Sequence, residues 1–189
     1  MTAIVILAAG SSSRMGKPKQ ILELSNKTML NRIIKVAGSV SDNLVVVLGA
    51  NSELVRSTIN QTNLDVQYNE NWNSGISSSI KVAVLHVQMN YPVVDRILFV
   101  LCDQPFVNKE LLQVIISTAV ISNKGIVACN YNNTIGVPAL FKKTYFQALL
   151  NLSCNEGAKT ILSQQRHDVY TIPFLWGILI LIRKMISNV

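Results

Sequence analysis

The first twenty residues constrain this chain more than any other stretch. Residues 3–7 (Ala-Ile-Val-Ile-Leu) are a short, continuous apolar run. Such a run reads as a strand buried on both faces, since a strand with one wet face alternates polar and apolar residues. Gly10 then opens a loop of small residues, Gly10-Ser11-Ser12-Ser13. Glycine and serine let backbone N–H groups come close to a ligand, because no bulky side chain blocks the approach. A row of such groups forms a concave anion site. Arg14, Lys17 and Lys19 add three cations within six residues. Buried strand, small-residue loop and clustered cations together predict a polyphosphate cradle. It is not a Walker loop, which has four residues between its glycines and Lys-Ser/Thr after the second. Here five residues separate Gly10 from Gly16, and Pro18 follows Lys17. The dinucleotide fingerprint G-x-G-x-x-G is absent as well.

Transfer chemistry on a polyphosphate calls for a divalent cation to offset its charge. Magnesium favours one or two carboxylates completed by phosphate oxygens and water. The chain has only ten acidic residues, so elimination is informative. Asp103 alone directly follows a strongly apolar run, residues 97–102, and Pro105 stiffens the turn after it. Ligands bind outside the carboxyl ends of parallel strands, which is where this carboxylate falls. Glu23, Asp42 and Glu110 lie in loop or helix-surface contexts and read as solvated charges.

Apolar runs alternate with helical spacing along the whole chain, which predicts an α/β fold with a mostly parallel sheet. Further strands are expected at 44–48, 66–68, 97–101 and 126–129, with an extended segment at 138–141. Helices are expected after Thr28, across 52–59, and from an Asn108 cap to about residue 121, with two short helices near the end. At 189 residues, with 49% apolar composition, one domain with a sizeable core is expected. The net charge of +7 is spread along the chain, without an RNA-binding signature or zinc-finger spacing, so no nucleic-acid partner is expected. The three cysteines form no C-x-x-C pair, which argues against a disulfide framework or thiolate zinc site. The N-terminus lacks the basic region of a signal peptide, and a reducing cytoplasm fits. His86 and His167 have no acid or cysteine at catalytic or metal spacing and read as structural or solvated.

The segment Leu7 to Gln20, LAAGSSSRMGKPKQ, resembles the signature of the molybdenum-cofactor cytidylyltransferases, within the wider group of nucleotidyltransferases. Leu101-Cys102-Asp103-Gln104-Pro105 resembles that family's LCDQP motif. The resemblance implies a three-layer, Rossmann-like nucleotidyltransferase fold. It implies that Ala8, Ala9, Gly10, Ser11, Ser12, Ser13, Gly16 and Lys17 wrap a triphosphate. Arg14 and Lys19 would neutralise the departing pyrophosphate, and Asp103 would hold Mg2+ against the nucleotide. The LAAG form, with Ala9, goes with CTP. The stretch from Trp72 to Ser79 resembles the family segment over the base, which implies base or ribose contacts from Gly75 and Ser79, with Trp72 packing. Gly136 and Pro138 lie in a G-x-P-x-L-F segment near the acceptor, and Lys159 follows a Gly-Ala turn beside it. Family members often carry His where this chain has Val137. Lys159 reads equally as an acceptor contact or plain surface.

The resemblance covers residues 1–173, which read as the nucleotidyltransferase domain, and fails over 174–189. Relatives end in a short acidic run, whereas this chain continues as an apolar tail. The apolar run is too short to span a bilayer, so stable membrane insertion is not expected. One reading is a frameshift product. With Gly177 as GGG, each isoleucine to Ile182 as ATA and each leucine as TTG, the message read two bases out of frame gives Asp-Ile-Asp-Ile-Asp. The other reading is an interfacial anchor.

The leading functional reading is a Mg2+-dependent cytidylyltransferase acting on a molybdopterin-type acceptor. The alternatives are transfer to a sugar or alcohol phosphate, and a non-catalytic nucleotide-binding accessory protein in molybdoenzyme maturation. For the tail, the frameshift reading predicts TTG at Leu179 and Leu181. Sequencing the gene checks it, and other codons there end the idea.

Overall fold

The computed structural model describes residues 1–12, 17–24, 26–131, 134–154 and 156–174. In chain order its elements begin with β1 (Thr2–Ala8), β2 (Glu23–Leu24), β3 (Lys27–Thr28), α1 (Met29–Gly38), β4 (Leu44–Leu48), α2 (Ser52–Ser57) and β5 (Asp65–Tyr68). They continue with α3 (Ile76–Asn90), β6 (Arg96–Leu101), α4 (Lys109–Ile121), β7 (Ile126–Tyr131), β8 (Thr134–Lys142), α5 (Phe146–Leu150), α6 (Ala158–Gln164) and β9 (Val169–Pro173).

The apolar runs form the parallel half of the main sheet. Its order is β5-β4-β1-β6-β8-β7-β9. β1 pairs in parallel with β4 (Leu7 opposite Val47) and with β6 (Leu7 opposite Leu101). β5 continues this half beyond β4. Every residue of β1 and β4 is buried. Successive side chains of β1 enter two different cores. Ile4, Ile6 and Ala8 pack with Leu30, Ile33 and Ile34 of α1 and with Leu112 and Ile115 of α4. Ala3, Val5 and Leu7 pack with Ile80, Ala83 and Val84 of α3 and with side chains of α5 and α6. Helices on both faces make three layers, and this explains why the strands carry no polar face.

Two helix starts follow the expected cap chemistry. Thr28 Oγ1 accepts from the amide of Asn31, and Asn108 Oδ1 accepts from that of Leu111. The segment expected at 138–141 lies within β8, which runs antiparallel to β6 and β7. The strand β9, parallel to β7, was not anticipated. It takes up Ile172 and Pro173, at the end of the segment that resembles the family. Nor was the small β2–β3 hairpin anticipated. Phe174 is 6% exposed, donates its amide to Asn130 O at 2.9 Å and packs edge-on against Tyr131. The rest of the tail, 175–189, lies outside the described residues. Among the described residues no helix is long and apolar enough to cross a membrane.

The strand order sets the place of a ligand. After β1 the chain builds outward through β4 and β5, then crosses back to β6 on the other side of β1. The carboxyl ends of β1 and β6 therefore diverge into loops that leave a crevice between them.

The cysteines give a direct check on this packing. Burial, with the Asp103 carboxylate beside it, pushes the Cys102 thiol up to about 12, and burial pushes Cys129 up to about 12. Both therefore stay protonated at pH 8, whereas Cys154 is exposed. A chromogenic thiol reagent at pH 8 is expected to titrate Cys154 in the native chain and all three cysteines after denaturation. Rapid native reaction of Cys102 or Cys129 would contradict the packing.

Candidate active site

The loop after β1 is shaped by tying its carbonyl groups back into the protein. Gln20, 2% exposed, donates its Nε2 to Ala8 O and Gly10 O, each at 2.8 Å. Ala9 O accepts from the amide of Ala50 at 3.0 Å. Three successive carbonyls are thereby occupied on the protein side. Among the described residues nothing accepts from the amides of Gly10, Ser11 or Ser12. A Cβ built on Gly10 would meet nothing within 4 Å, so the space above the loop is open. Ser12 sits in the left-handed region at φ 54° and its Oγ accepts from Lys19 N at 2.9 Å. Carbonyls turned in and amides left over give the loop the donors that an anion site needs.

β6 brings the acid. Because Leu101 lies opposite Leu7, the turn after β6 sits beside the start of the loop, and Cys102 N donates to Leu7 O at 3.3 Å. Asp103 Oδ2 stands 3.8 Å from Lys19 Nζ, with the two side chains 28% and 34% exposed. This turn is held from both sides. Arg32 of α1 donates to Pro105 O. Gln104, 9% exposed, accepts from Leu101 N and donates to Tyr131 Oη and to Val137 O. Tyr131 Oη donates to the same Val137 carbonyl. The Asp103 turn is thus bonded to the β7–β8 pair that shapes the neighbouring pocket.

The third wall comes from the segment leading into α3. Gly75 has φ 95°, a conformation that L side chains rarely adopt, which explains a glycine there. A Cβ on Gly49, at the end of β4, would lie 2.6 Å from Trp72 Cβ and 2.8 Å from Ala9 O, so this glycine lets two walls close together. Trp72 packs there, as expected, yet is also 38% exposed and lines the cleft.

Ala8, Ala9, Gly10, Ser11, Ser12, Lys19, Gly75, Ser79 and Asp103 line one cleft of about 420 Å³. Lys17 is exposed and does not line it. Ser13, Arg14 and Gly16 lie outside the described residues. A second cleft of about 370 Å³ is lined by Gly136, Val137 and Lys159, whereas Pro138, expected with them, is buried and does not line it. Its walls are mostly apolar, including Ile80, Phe99 and Leu101. Asp103, Leu7, Ile76 and Leu101 belong to both clefts, so the two meet at the carboxylate.

Sequence reasoning missed the buried amides that hold these walls, Gln20, Asn69 and Gln104. Gln20 and Gln104 stood inside recognised motifs. Asn69 has one local partner, the amide of Asn71, but the two serines that it holds, Ser78 and Ser79, lie 9 and 10 residues away and no short-range pattern points to them. His86 does have an acid, Asp65 Oδ2 at 2.7 Å, supplied by β5 from 21 residues away. Tyr91 also donates to that carboxylate, and the cluster ties the end of α3 to the sheet, a structural role.

The comparisons with known proteins agree with this geometry. Residues 4–169 match the MobA-like NTP transferase domain. The molybdenum cofactor cytidylyltransferase of Escherichia coli strain K12 is 31% identical over 146 residues, which are 76% of this chain and 72% of that protein. The bifunctional protein GlmU of Ruthia magnifica subsp. Calyptogena magnifica is 30% identical over 142 residues, 74% of this chain but 30% of that protein. Among solved structures, Rv0371c from Mycobacterium tuberculosis H37Rv superposes with a TM-score of 0.81 at 30% identity, over 92% of this chain and 87% of that one. Its complex with manganese superposes with a TM-score of 0.77 at 29% identity, over 92% of this chain and 88% of that one. The chain belongs to the MobA-like NTP transferase family and is a nucleotidyltransferase.

Proposed function

We propose that this nucleotidyltransferase is a cytidylyltransferase that joins CTP to the phosphate of a molybdopterin-type acceptor and releases pyrophosphate. The observation that carries the reading is the meeting of two unlike clefts at one carboxylate. One is walled by loop amides and Lys19, which suits a triphosphate. The other is largely apolar with Lys159 among its lining residues, which suits an acceptor with a flat apolar body and an anionic group. The similarity to the Escherichia coli cytidylyltransferase and the Ala9 form of the loop support cytosine as the base.

The residues present fit Mg2+ as the metal. Among the described residues no cluster of three or more His, Cys, Asp or Glu exists, so there is no all-protein metal cage. A single carboxylate at the cleft is what Mg2+ uses when phosphate oxygens complete its shell. Asp103 would hold it. When bound, the ion supplies neutralisation of charge on the nucleotide phosphates. The manganese complex of Rv0371c supports a divalent ion in this family.

The chain's own contribution is placement and charge. An oxygen of the acceptor phosphate attacks the α-phosphorus of CTP, the bond to the β-phosphate bridging oxygen breaks, and pyrophosphate leaves. The acceptor is itself the nucleophile, so no side chain has to become one. The high pKa of the buried Cys102 thiol agrees with that. The amides of Gly10, Ser11 and Ser12 stabilise the phosphates in fixed positions, without reorganising during the reaction. Lys19 stabilises the leaving pyrophosphate, and we assign Arg14 and Lys17 to the same task. Gly75 and Ser79 contact the nucleoside. Gly136 and Lys159 position the acceptor from the second cleft, and Pro138 supports that wall.

Two measurements test the reading. Pyrophosphate release is followed with each NTP, with and without molybdopterin cofactor. CTP with that acceptor is expected to be the productive pair. Turnover on a sugar or alcohol phosphate instead would assign the sibling activity. CTP binding without pyrophosphate release would assign a non-catalytic accessory role. Separately, Asp103→Ala and Lys19→Ala are each expected to lower kcat/KM by about two to three orders of magnitude, the scale for losing one preorganised charge contact. Their Tm should move little, because an ion pair this exposed adds at most about 1 kcal/mol to stability. Full turnover in either variant would remove the mechanism.

A further inference from the structure

Asn69 follows β5, is 3% exposed and makes three side-chain hydrogen bonds. Its Oδ1 accepts from the backbone amide of Asn71 at 3.0 Å. A backbone N–H can only donate, so this bond fixes which way the carboxamide points. Both hydrogens of Nδ2 therefore face the other way, where they meet Ser78 Oγ at 2.8 Å and Ser79 Oγ at 2.9 Å.

The two serines then differ. Ser78 accepts from Asn69 and has carbonyl partners for its own hydrogen, Gly75 O at 2.7 Å and Asn71 O at 2.9 Å. Ser79 also accepts from Asn69, but no described group accepts from its hydroxyl. The usual outlets for a helical serine are the carbonyls three and four residues back; Ser79 makes no bond to the first, Ile76 O, leaving the one four back. For Ser79 that is Gly75 O, which already takes Ser78 N at 3.3 Å and Ser78 Oγ. Ser79 is 3% exposed and lines the 420 Å³ cleft. Its hydroxyl is thus left with a hydrogen to give and a cleft to give it to.

We propose that Asn69 is a positioning residue for nucleotide selection. It locks the Ser79 hydroxyl as a hydrogen-bond donor, so that the cleft takes a base presenting an acceptor there. On cytosine the acceptors are the O2 carbonyl and the unprotonated N3; on uracil O2 remains but N3 carries a hydrogen. The inference rests on the reading of the cleft as a CTP site and adds to it a polarity that Ser79 alone does not have, since a free hydroxyl donates or accepts as needed.

The test inverts the polarity. In Asn69→Asp the carboxylate only accepts, so Ser79 turns its hydrogen toward residue 69 and offers the cleft a lone pair. Binding of CTP and UTP, each with Mg2+, is measured on the full-length wild type, Asn69→Asp, Ser79→Ala and the double variant. Asn69→Asp and Ser79→Ala are each expected to weaken CTP about tenfold, the scale for one mismatched buried hydrogen bond. The double variant should be no weaker than Ser79→Ala, because without the hydroxyl there is no polarity to invert. If Asn69→Asp spares or improves UTP, the acceptor is N3 and the selection holds; if it weakens both nucleotides alike, the polarity does not distinguish them and the role in nucleotide selection is overturned. Additive losses in the double variant would mean that Asn69 acts as general scaffolding and would overturn the proposal. Unchanged CTP affinity in Ser79→Ala would overturn it alone, even if the Asn69 variant fails to fold. A wild-type chain that does not bind CTP would instead overturn the cytidylyl reading.

Discussion

The site depends on the parallel pairing of β1 with β6. Side chains at Ile4, Ile6, Leu98 and Val100 fill one core and those at Val5, Ile97 and Phe99 the other. A one-residue slip of either strand would exchange the two sets, so the register is strongly specified. That register places Leu7 beside Leu101, and so places the amide loop beside Asp103. Opposite charges then face each other across the crevice, Lys19 and Asp103, at 3.8 Å. This is beyond hydrogen-bonding distance, and both groups keep about a third of their surface open to water. A pair of this kind adds little to stability. It keeps a cation and a carboxylate close together in the cleft, with neither consumed by the other.

Around this pair the walls are set by buried carboxamides rather than by apolar packing. Gln20 holds the loop after β1, Gln104 holds the Asp103 turn, and Asn69 holds the start of α3. Each bond adds about 1 kcal/mol net, because the same groups would otherwise bond to water. Fixing backbone shape is the larger effect: a carboxamide offers donors and an acceptor in a rigid plane, so it can tie two or three chain segments at fixed angles. Gln20 Oε1 carries the cost of this arrangement, since it is buried with no hydrogen-bond partner among the described residues. An unpaired acceptor costs about 1–3 kcal/mol, which the fold absorbs to hold two carbonyls away from the anion site.

These facts explain what the sequence could disclose. Strands covered on both faces announce themselves as unbroken apolar runs, and 44–48 was legible to the residue for that reason. Caps at Thr28 and Asn108 were legible because a cap bonds three residues ahead. β9 was not, since it is an edge strand with Tyr170 and Thr171 exposed and only Ile172 buried. The direction of β8 was equally hidden, because nothing in a residue's chemistry distinguishes the two senses of pairing here. At the site, the loop and Asp103 showed through local composition and position. The bonds of Gln104 to Val137 and of His86 to Asp65 span 33 and 21 residues, and no local pattern encodes them.

The same distinction bears on which half of the reaction a sequence can specify. In the proposed reading the 420 Å³ cleft meets phosphates with backbone amides, whose chemistry does not change when a side chain does. Only small residues are demanded there, and Gly10, Ser11 and Ser12 supply them. The second cleft is walled by side chains, Ile80, Phe99, Val137 and Lys159 among them, so each substitution changes what fits. Val137 stands where relatives often place histidine, yet its carbonyl still anchors Gln104 and Tyr131. A change of side chain at position 137 alters the wall of the second cleft while leaving intact the backbone bond that supports the Asp103 turn. The backbone bonds that hold the Asp103 turn and the side chains that wall the second cleft are therefore physically separable in this fold.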